Sequence, residues 1–423
     1  MPSREVTAFF FGTRMKIIVC NIGSSSFKFQ LLDMASEQRL ARGHVERVGA
    51  NDAVVTYWVA NDKVYEKEMA IPTHREAVQH ALDFLTQSDH AVLKSLQDCD
   101  AVGFKTIQAG ERNGTVLLDD AVLQAMENYK SLAPAHNPPY LTAIYMFKEM
   151  LPDMPLVGVF EPGFHATIPQ YAKIYGTPYD WIEQYHVVRY GYHGASHHYI
   201  THQTVKTLGL ASDDHKMISC HLGGSSSLCA FKNGQSIDVS MGFSPQSGLL
   251  QGKRVGDMDP FVLPYIMERK GITLVDALTE LGTRGGLAGL SGVSDDMRDI
   301  NKAVQLGNER ARLARDKYIY DVKRYIGEYI VIMEGLDAIT FTGGIGQWDA
   351  ELREKVLSSL RFLGLEIDQE KNARHAPVIS TDDSRISALV METDEEIVVA
   401  RETMRKVAKV YHGEIKGYGD TNF

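Results

Sequence analysis

The chain has 423 residues, 44% of them hydrophobic and 23% charged, with a formal net charge of -10. That length allows two or three domains with substantial cores, and the acidic balance excludes the basic footprint of a nucleic-acid binder. No apolar run approaches the roughly 20 residues that span a bilayer, and four scattered cysteines (Cys20, Cys99, Cys220, Cys229) form neither a disulfide framework nor a zinc spacing. We expect those thiols to be packed in the core and unpaired, as suits a reducing cytoplasm, with no nucleic acid and no membrane as partner.

Residues 1–14 lack a proper signal-peptide core and read as an N-terminal extension. Strand patterns then cover 16–20, 27–33 and 39–48, and a hairpin over 54–71 turns near Asn61-Asp62. A helix is expected over 74–87, a strand over 100–107, helices over 119–132 and 138–150, and a strand over 155–160. The second half repeats the scheme. Strands are expected at 217–221 and 227–231, a glycine-rich loop at 242–258, helices at 261–270 and 307–335, and a strand at 338–342. The last helix opens on Thr393-Asp-Glu-Glu396, read as a capping box with Thr393 as N-cap. It carries an apolar stripe through Ile397, Ala400, Met404 and Val407.

The repeat is most visible in two segments, Lys16–Asp33 and Lys216–Asp238. Each runs from a short apolar strand through one polar residue, Asn21 or His221, into a Gly/Ser-rich turn and a second strand. Glycine admits a close ligand, and successive amides and hydroxyls hold phosphate oxygens. Two such turns imply a duplicated fold binding a nucleotide, and Gly343-Gly-Ile-Gly346 adds a third turn after a strand. Lys28 follows the first turn closely enough to offer a point charge. The segment Tyr190–His197 places His193 between glycines as a donor to phosphoryl charge. Gly252–Asp259 offers Arg254 as a mobile guanidinium, with Asp257 and Asp259 read as either pairing with it or touching a metal through water. His198 and His202 share a helical face but have no third ligand, and read as incidental.

Asn21-x-Gly-Ser-Ser-Ser-x-Lys28, Tyr192-His-Gly-x-Ser-His197, Ser240-Met-Gly-Phe-x-Pro245, Gly252-x-Arg-x-Gly-Asp257, Asp296-x-Arg298 and Thr393-x-Glu-Glu396 together resemble the acetate kinase family, over about residues 15–410. That family belongs to the sugar kinase/heat-shock chaperone/actin superfamily. The resemblance implies an α/β fold of two duplicated ribonuclease-H-like (actin-like ATPase) domains with a nucleotide cleft between them. The N-terminal domain would span 15–165, completed by a C-terminal helix at about 396–423, and the nucleotide-binding domain 166–395. It implies direct in-line transfer of the γ-phosphoryl group of ATP to acetate, with Mg2+ or Mn2+, in a homodimer. By the same resemblance Asn21 and Glu395 hold the metal and Lys28 contacts nucleotide phosphate. His221, Leu222, Gly223, Gly224 and Ser225, Asp296, Met297 and Arg298, and Gly344, Ile345, Gly346, Gln347 and Trp348 form nucleotide loops. His193 and Arg254 stabilise the transition state, and Ile107, Ala135, Tyr192 and Pro245 line the acyl pocket.

The sequence departs from the family pattern at the centre. Lys105 stands where the family carries a substrate-clamping arginine, and Glu161 where it carries a catalytic aspartate. Gly224-Ser225 replaces Asn-Gly, and Gln347-Trp348 replaces Glu-Asn, so Trp348 either stacks on a base or fills the adenine site. Lys105 and Glu161 are expected to act as a re-spaced pair in an active acetate kinase. The alternatives are a kinase for a longer acid or another phosphoryl donor, and a non-catalytic nucleotide-binding homologue.

Overall fold

The computed structural model describes residues 15–23, 25–130, 136–211 and 213–412. The N-terminal extension therefore lies outside the described residues. Two compact units emerge: unit 1 runs to Gly163 and resumes at Asp394, and unit 2 is Phe164–Thr393.

Unit 1 is built on an eight-stranded sheet. Strands β1 (Lys16–Ile22), β2 (Ser26–Asp33), β3 (Gln38–Glu46), β4 (Ala53–Val59) and β5 (Asp62–Met69) form an antiparallel meander. On the other side of β1, β6 (Ala101–Thr106) and β8 (Leu156–Phe160) run parallel, and the short β7 (Thr115–Leu117) closes that edge. The near-continuous apolar run of β1 suits a central strand covered on both faces. Exposed Lys63, Glu66, Lys67 and Glu68 blunt the free edge of β5. The helix Glu395–His412 packs on β1, β6 and β8 through buried Ile397, Ala400, Met404 and Val407, the stripe expected from sequence. Its cap differs from expectation by one residue. Asp394, not Thr393, accepts the amide of Ile397 at 3.0 Å, and among the described residues the Thr393 hydroxyl has no hydrogen-bond partner.

Unit 2 carries a five-stranded sheet. Antiparallel β9 (Lys216–Leu222), β10 (Ser226–Lys232) and β11 (Gln235–Val239) are joined beside β9 by parallel β12 (Ala338–Thr342) and β13 (Ser387–Val390). The order β11-β10-β9-β12-β13 reproduces β3-β2-β1-β6-β8 with the same strand directions, so the duplication read from the two turns is real. The copies differ in one respect. Ile22 pairs with Phe27, whereas Leu222 pairs with Ser226, so the second turn is one residue shorter. Past the turn the register is equivalent, with Ser227 opposite His221 where Lys28 stands opposite Asn21. The expected third turn is instead a six-residue helix, Gly343–Trp348, that starts directly from β12.

All four cysteines are buried and unpaired. Gly103 on β6 lies beneath the C-terminal helix, where an added Cβ would meet Thr403 Oγ1 at 2.3 Å and Val399 Cγ1 at 3.1 Å. Gly103→Ala is therefore expected to cost about 1–3 kcal/mol through overpacking. Thr403→Ala in the same chain should recover part of that loss, because it removes the clashing hydroxyl; urea unfolding midpoints of the two variants and the double variant check the coupling.

Candidate active site

In unit 1 the chemistry gathers around Lys105. β6 carries Lys105, the chain leaving β8 carries Glu161, and the C-terminal helix begins with Glu395. The Lys105 ammonium lies 3.3 Å from Glu161 Oε1 and is also paired with Glu395. Glu161 is only 4% exposed. Burial disfavours the charge on Lys105, but the two carboxylates outweigh it and hold its pKa well above the ordinary lysine value. The sequence pair Lys105/Glu161 is thus a triad.

Asn21, at the end of β1, accepts from the Tyr140 hydroxyl at 3.3 Å, while that hydroxyl accepts the Ile22 amide at 3.0 Å. Asn21, Lys28 and His44 are direct cross-strand neighbours on β1, β2 and β3. With Arg42, Trp58 and Glu396 they line a cleft of about 280 Å³. Burial pushes the Glu396 carboxyl upward from its usual range, while the Lys105 charge opposes the shift. Ile107 follows β6 and packs against the unit 1 core. Ala135 lies outside the described residues.

In unit 2 three separated segments meet around one cavity of about 700 Å³. Its lining includes Gly223, Gly224, Asp296, Met297, Arg298, Gly344, Ile345 and Trp348, together with Asp295, Asn301 and Asp349. Asp296 caps the helix Met297–Gln305 by accepting the Arg298 amide at 2.8 Å, and its carboxylate also holds the Arg298 guanidinium. Hydrogen bonds from Arg298 keep the Asp296 carboxyl below its usual range. Trp348 is 67% exposed and meets the His375 ring edge-on at 5.1 Å, so its indole remains accessible. The other predicted loop residues play supporting parts. Leu222 is buried in the core, Gly346 is buried in its helix, and Gln347 donates to the Met391 carbonyl. His221 shares a hydrogen bond with the Ser196 hydroxyl at 2.7 Å.

The remaining predicted residues in unit 2 are held by short networks. His193 caps the helix Gly194–Leu208 with a left-handed backbone (φ 57°), a conformation that costs energy outside glycine. Its ring stacks on His221 with centroids 4.3 Å apart, and its Nδ1 lies 2.8 Å from Ser227 Oγ. Arg254 differs from the mobile guanidinium expected. Its Nη1 donates to Ser225 Oγ (3.0 Å), Gln251 Oε1 (3.2 Å) and the Pro245 carbonyl (3.3 Å). Ser225 therefore serves Arg254 directly. Asp257 and Asp259 do not pair with Arg254: Asp257 accepts from Gly248 N, Arg324 and Tyr325, and Asp259 accepts the Phe261 amide. Tyr192 is buried and donates its hydroxyl to the Phe243 carbonyl at 2.8 Å.

Sequence reasoning missed Gln251, which is fully buried, accepts from Ser225 and Arg254, and donates to Pro245 at 2.9 Å. Its only signal was its place three residues before Arg254 in a glycine-flanked loop. Tyr140 and Ser227 were likewise missed, the former inside an ordinary amphipathic helix and the latter as one serine among three.

Comparison with known proteins bears directly on these arrangements. Residues 16–401 match the acetokinase family. An acetate kinase of Clostridium novyi (strain NT) is 42% identical over 398 residues, spanning 93% of this chain and 99% of that protein. Among solved structures, the acetate kinase of Porphyromonas gingivalis superposes with a TM-score of 0.85 at 37% identity, over 93% of this chain and 100% of that one. A propionate kinase from Francisella tularensis gives 0.84 at 32% identity, over 92% and 98%. Matched over residues 16–401, the chain belongs to the acetokinase family.

Proposed function

We propose that the chain is a carboxylate kinase that moves the γ-phosphoryl group of ATP reversibly to acetate, giving acetyl phosphate and ADP. One observation carries the assignment beyond the family itself: residues 223–224, 296–298, 344–345 and 348, far apart in sequence, close around one cavity large enough for a nucleoside. Its acidic lining suits ribose hydroxyls as donors, and the exposed indole of Trp348 offers a stacking face for the base.

Acetate oxygen attacks the γ-phosphorus in line as the bond to the β–γ bridging oxygen breaks, with no covalent enzyme intermediate. Such a transfer depends on positioning and charge neutralisation. Lys105 positions the acceptor. An ammonium has three donors, two engaged by Glu161 and Glu395, leaving one for a carboxylate. His193 and Arg254 donate to the phosphoryl oxygens, and Lys28 contacts a nucleotide phosphate. The helix headed by His193 adds its positive end.

Lys105, Glu161 and Glu395 together carry a formal charge of -1, in a region that must receive further anions. A divalent cation bound there would supply the missing positive charge. Glu395 and Asn21 offer the hard oxygen donors that Mg2+ prefers, and Mg2+ commonly takes few protein ligands, the rest being water and substrate phosphate. When bound, the ion would neutralise phosphate charge.

Unit 2 also exposes Tyr179, Trp181, Tyr185, Phe261, Tyr265 and Val275, each at least 47% accessible. Large apolar groups of this kind mark association surfaces, and a second copy of the chain is the occupant proposed here. No helix among the described residues is long and apolar enough to cross a membrane.

ATP-dependent hydroxamate formation should proceed with acetate preferred over propionate and butyrate by kcat/KM. Lys105→Ala should lower kcat/KM for acetate by about 10²-fold, since it leaves two carboxylates unpaired. Lys105→Arg should bring no gain, because Glu161 and Glu395 already crowd the position. Trp348→Ala should raise KM for ATP on the order of 10-fold, from base–aromatic stacking worth about 1–3 kcal/mol. Light scattering during size-exclusion chromatography should return twice the 47.1 kDa chain mass, whereas Phe261→Asp should shift the protein toward monomer.

A further inference from the structure

Behind His193 the structure holds a chain of side chains that the proposed transfer does not use. Ser219 on β9 has its Oγ 2.9 Å from His197 Nδ1, and His197 Nε2 lies 2.8 Å from Ser227 Oγ on β10. Ser227 Oγ in turn lies 2.8 Å from His193 Nδ1. Ser219, His197 and Ser227 are each no more than 1% exposed, so water cannot satisfy any of these atoms from outside.

His197 is held neutral: burial drives its pKa well below the ordinary histidine value, and the neighbouring His165 and His221 push the same way. A neutral imidazole carries one N–H, so it donates one of these two bonds and accepts the other. Only two directions are then possible for the whole chain. In the first, the Ser219 hydroxyl donates to His197 Nδ1, His197 Nε2–H donates to Ser227 Oγ, and the Ser227 hydroxyl donates to His193 Nδ1. Every hydrogen is used. In the second, all arrows reverse and Ser219 becomes an acceptor. Among the described residues Ser219 Oγ has no partner besides His197, so its own hydrogen would be buried without an acceptor. Folded proteins avoid that state, and the first direction follows.

We propose that Ser219, His197 and Ser227 are positioning residues that fix His193 as its Nε2–H tautomer, so that it donates to the transferring phosphoryl group as a neutral imidazole. The catalytic half of this statement rests on the role proposed above for His193; the tautomer does not. The ring stack on His221 and the left-handed backbone at His193 hold the same imidazole from two other sides. A neutral donor changes no net charge when the anionic substrates arrive, and its hydrogen bond strengthens as charge develops on the phosphoryl oxygens.

Long-range proton–nitrogen spectra of histidine-labelled full-length protein at pH 8, with His193 assigned by His193→Gln, test the tautomer without reference to activity. Protonated Nε2 with bare Nδ1 is the expected result; protonated Nδ1, or an imidazolium, overturns the proposal. Ser219→Ala, three hydrogen bonds from His193 and remote from substrate, should raise the Nδ1–H fraction and lower kcat about 3- to 10-fold with KM for ATP and acetate unchanged. Ser219→Thr, which keeps the hydroxyl, should restore both. A tautomer unmoved by Ser219→Ala would sink the chain as a positioning device. If the tautomer is as expected but His193→Gln retains full kcat, the catalytic reading of His193 fails while the hydrogen-bond chain stands.

Discussion

Unit 1 turns on a single buried cation. Lys105 joins three stretches that are distant in sequence: the parallel strand β6, the chain leaving β8, and the first turn of the C-terminal helix. Removing one member of a buried ion pair leaves an uncompensated charge and costs several kcal/mol, about 3–5 in measured cases. The triad therefore positions Glu161 and Glu395, and it also fastens the C-terminal helix at the end where Asp394 caps it. Gly103, two residues earlier on β6, lets that helix come close enough for the contact to form.

Unit 2 solves a comparable problem with neutral groups. Arg254 is tied down by Ser225, Gln251 and the Pro245 carbonyl, with no carboxylate among these partners. Burial weakens its charge slightly, in a direction that leaves a guanidinium still protonated at any ordinary pH. His193 is likewise held by the Ser227 hydroxyl and the stacked imidazole of His221. The phosphate-binding roles proposed for these two residues gain from such surroundings. A carboxylate beside Arg254 would quench the charge that the reaction needs, whereas an amide and a hydroxyl fix its geometry and leave the charge available.

How far this could be read in advance depended on the kind of signal. Apolar runs such as Ile17–Cys20 and Met217–Cys220 marked the central strands, and glycine and serine clusters marked the turns beside them. Side-chain types marked the residues proposed for the site: Lys28 just past a Gly/Ser turn, His193 and Arg254 in glycine-containing loops, and Asp296 at a helix cap. Pairing was not legible. Nothing local says that Glu395 reaches Lys105 from nearly three hundred residues away, or that Asp257 is claimed by Tyr325 rather than by Arg254. Capping was legible only to within a residue, because Thr393 and Asp394 are both good N-caps and the packing of Ile397 and Ala400 chose between them. Gly343–Trp348 read as a turn because its glycines mask a short helix.

The shorter turn between β9 and β10 has a consequence for ancestry. Sliding the two halves over one another by 200 positions aligns Ser226 with Ser26, yet past the turn the backbone places Ser227 where Lys28 stands. A one-residue difference confined to the turn leaves the register of the following strand intact, so Ser227 is the counterpart of Lys28, a buried hydroxyl where unit 1 carries an exposed ammonium. The two halves therefore differ here both in the length of the turn and in the side chain opposite the polar residue of the first strand. A lineage drawn from ungapped residue-by-residue identity would count that difference in length as a string of unrelated substitutions, when the geometry records a single change in the turn.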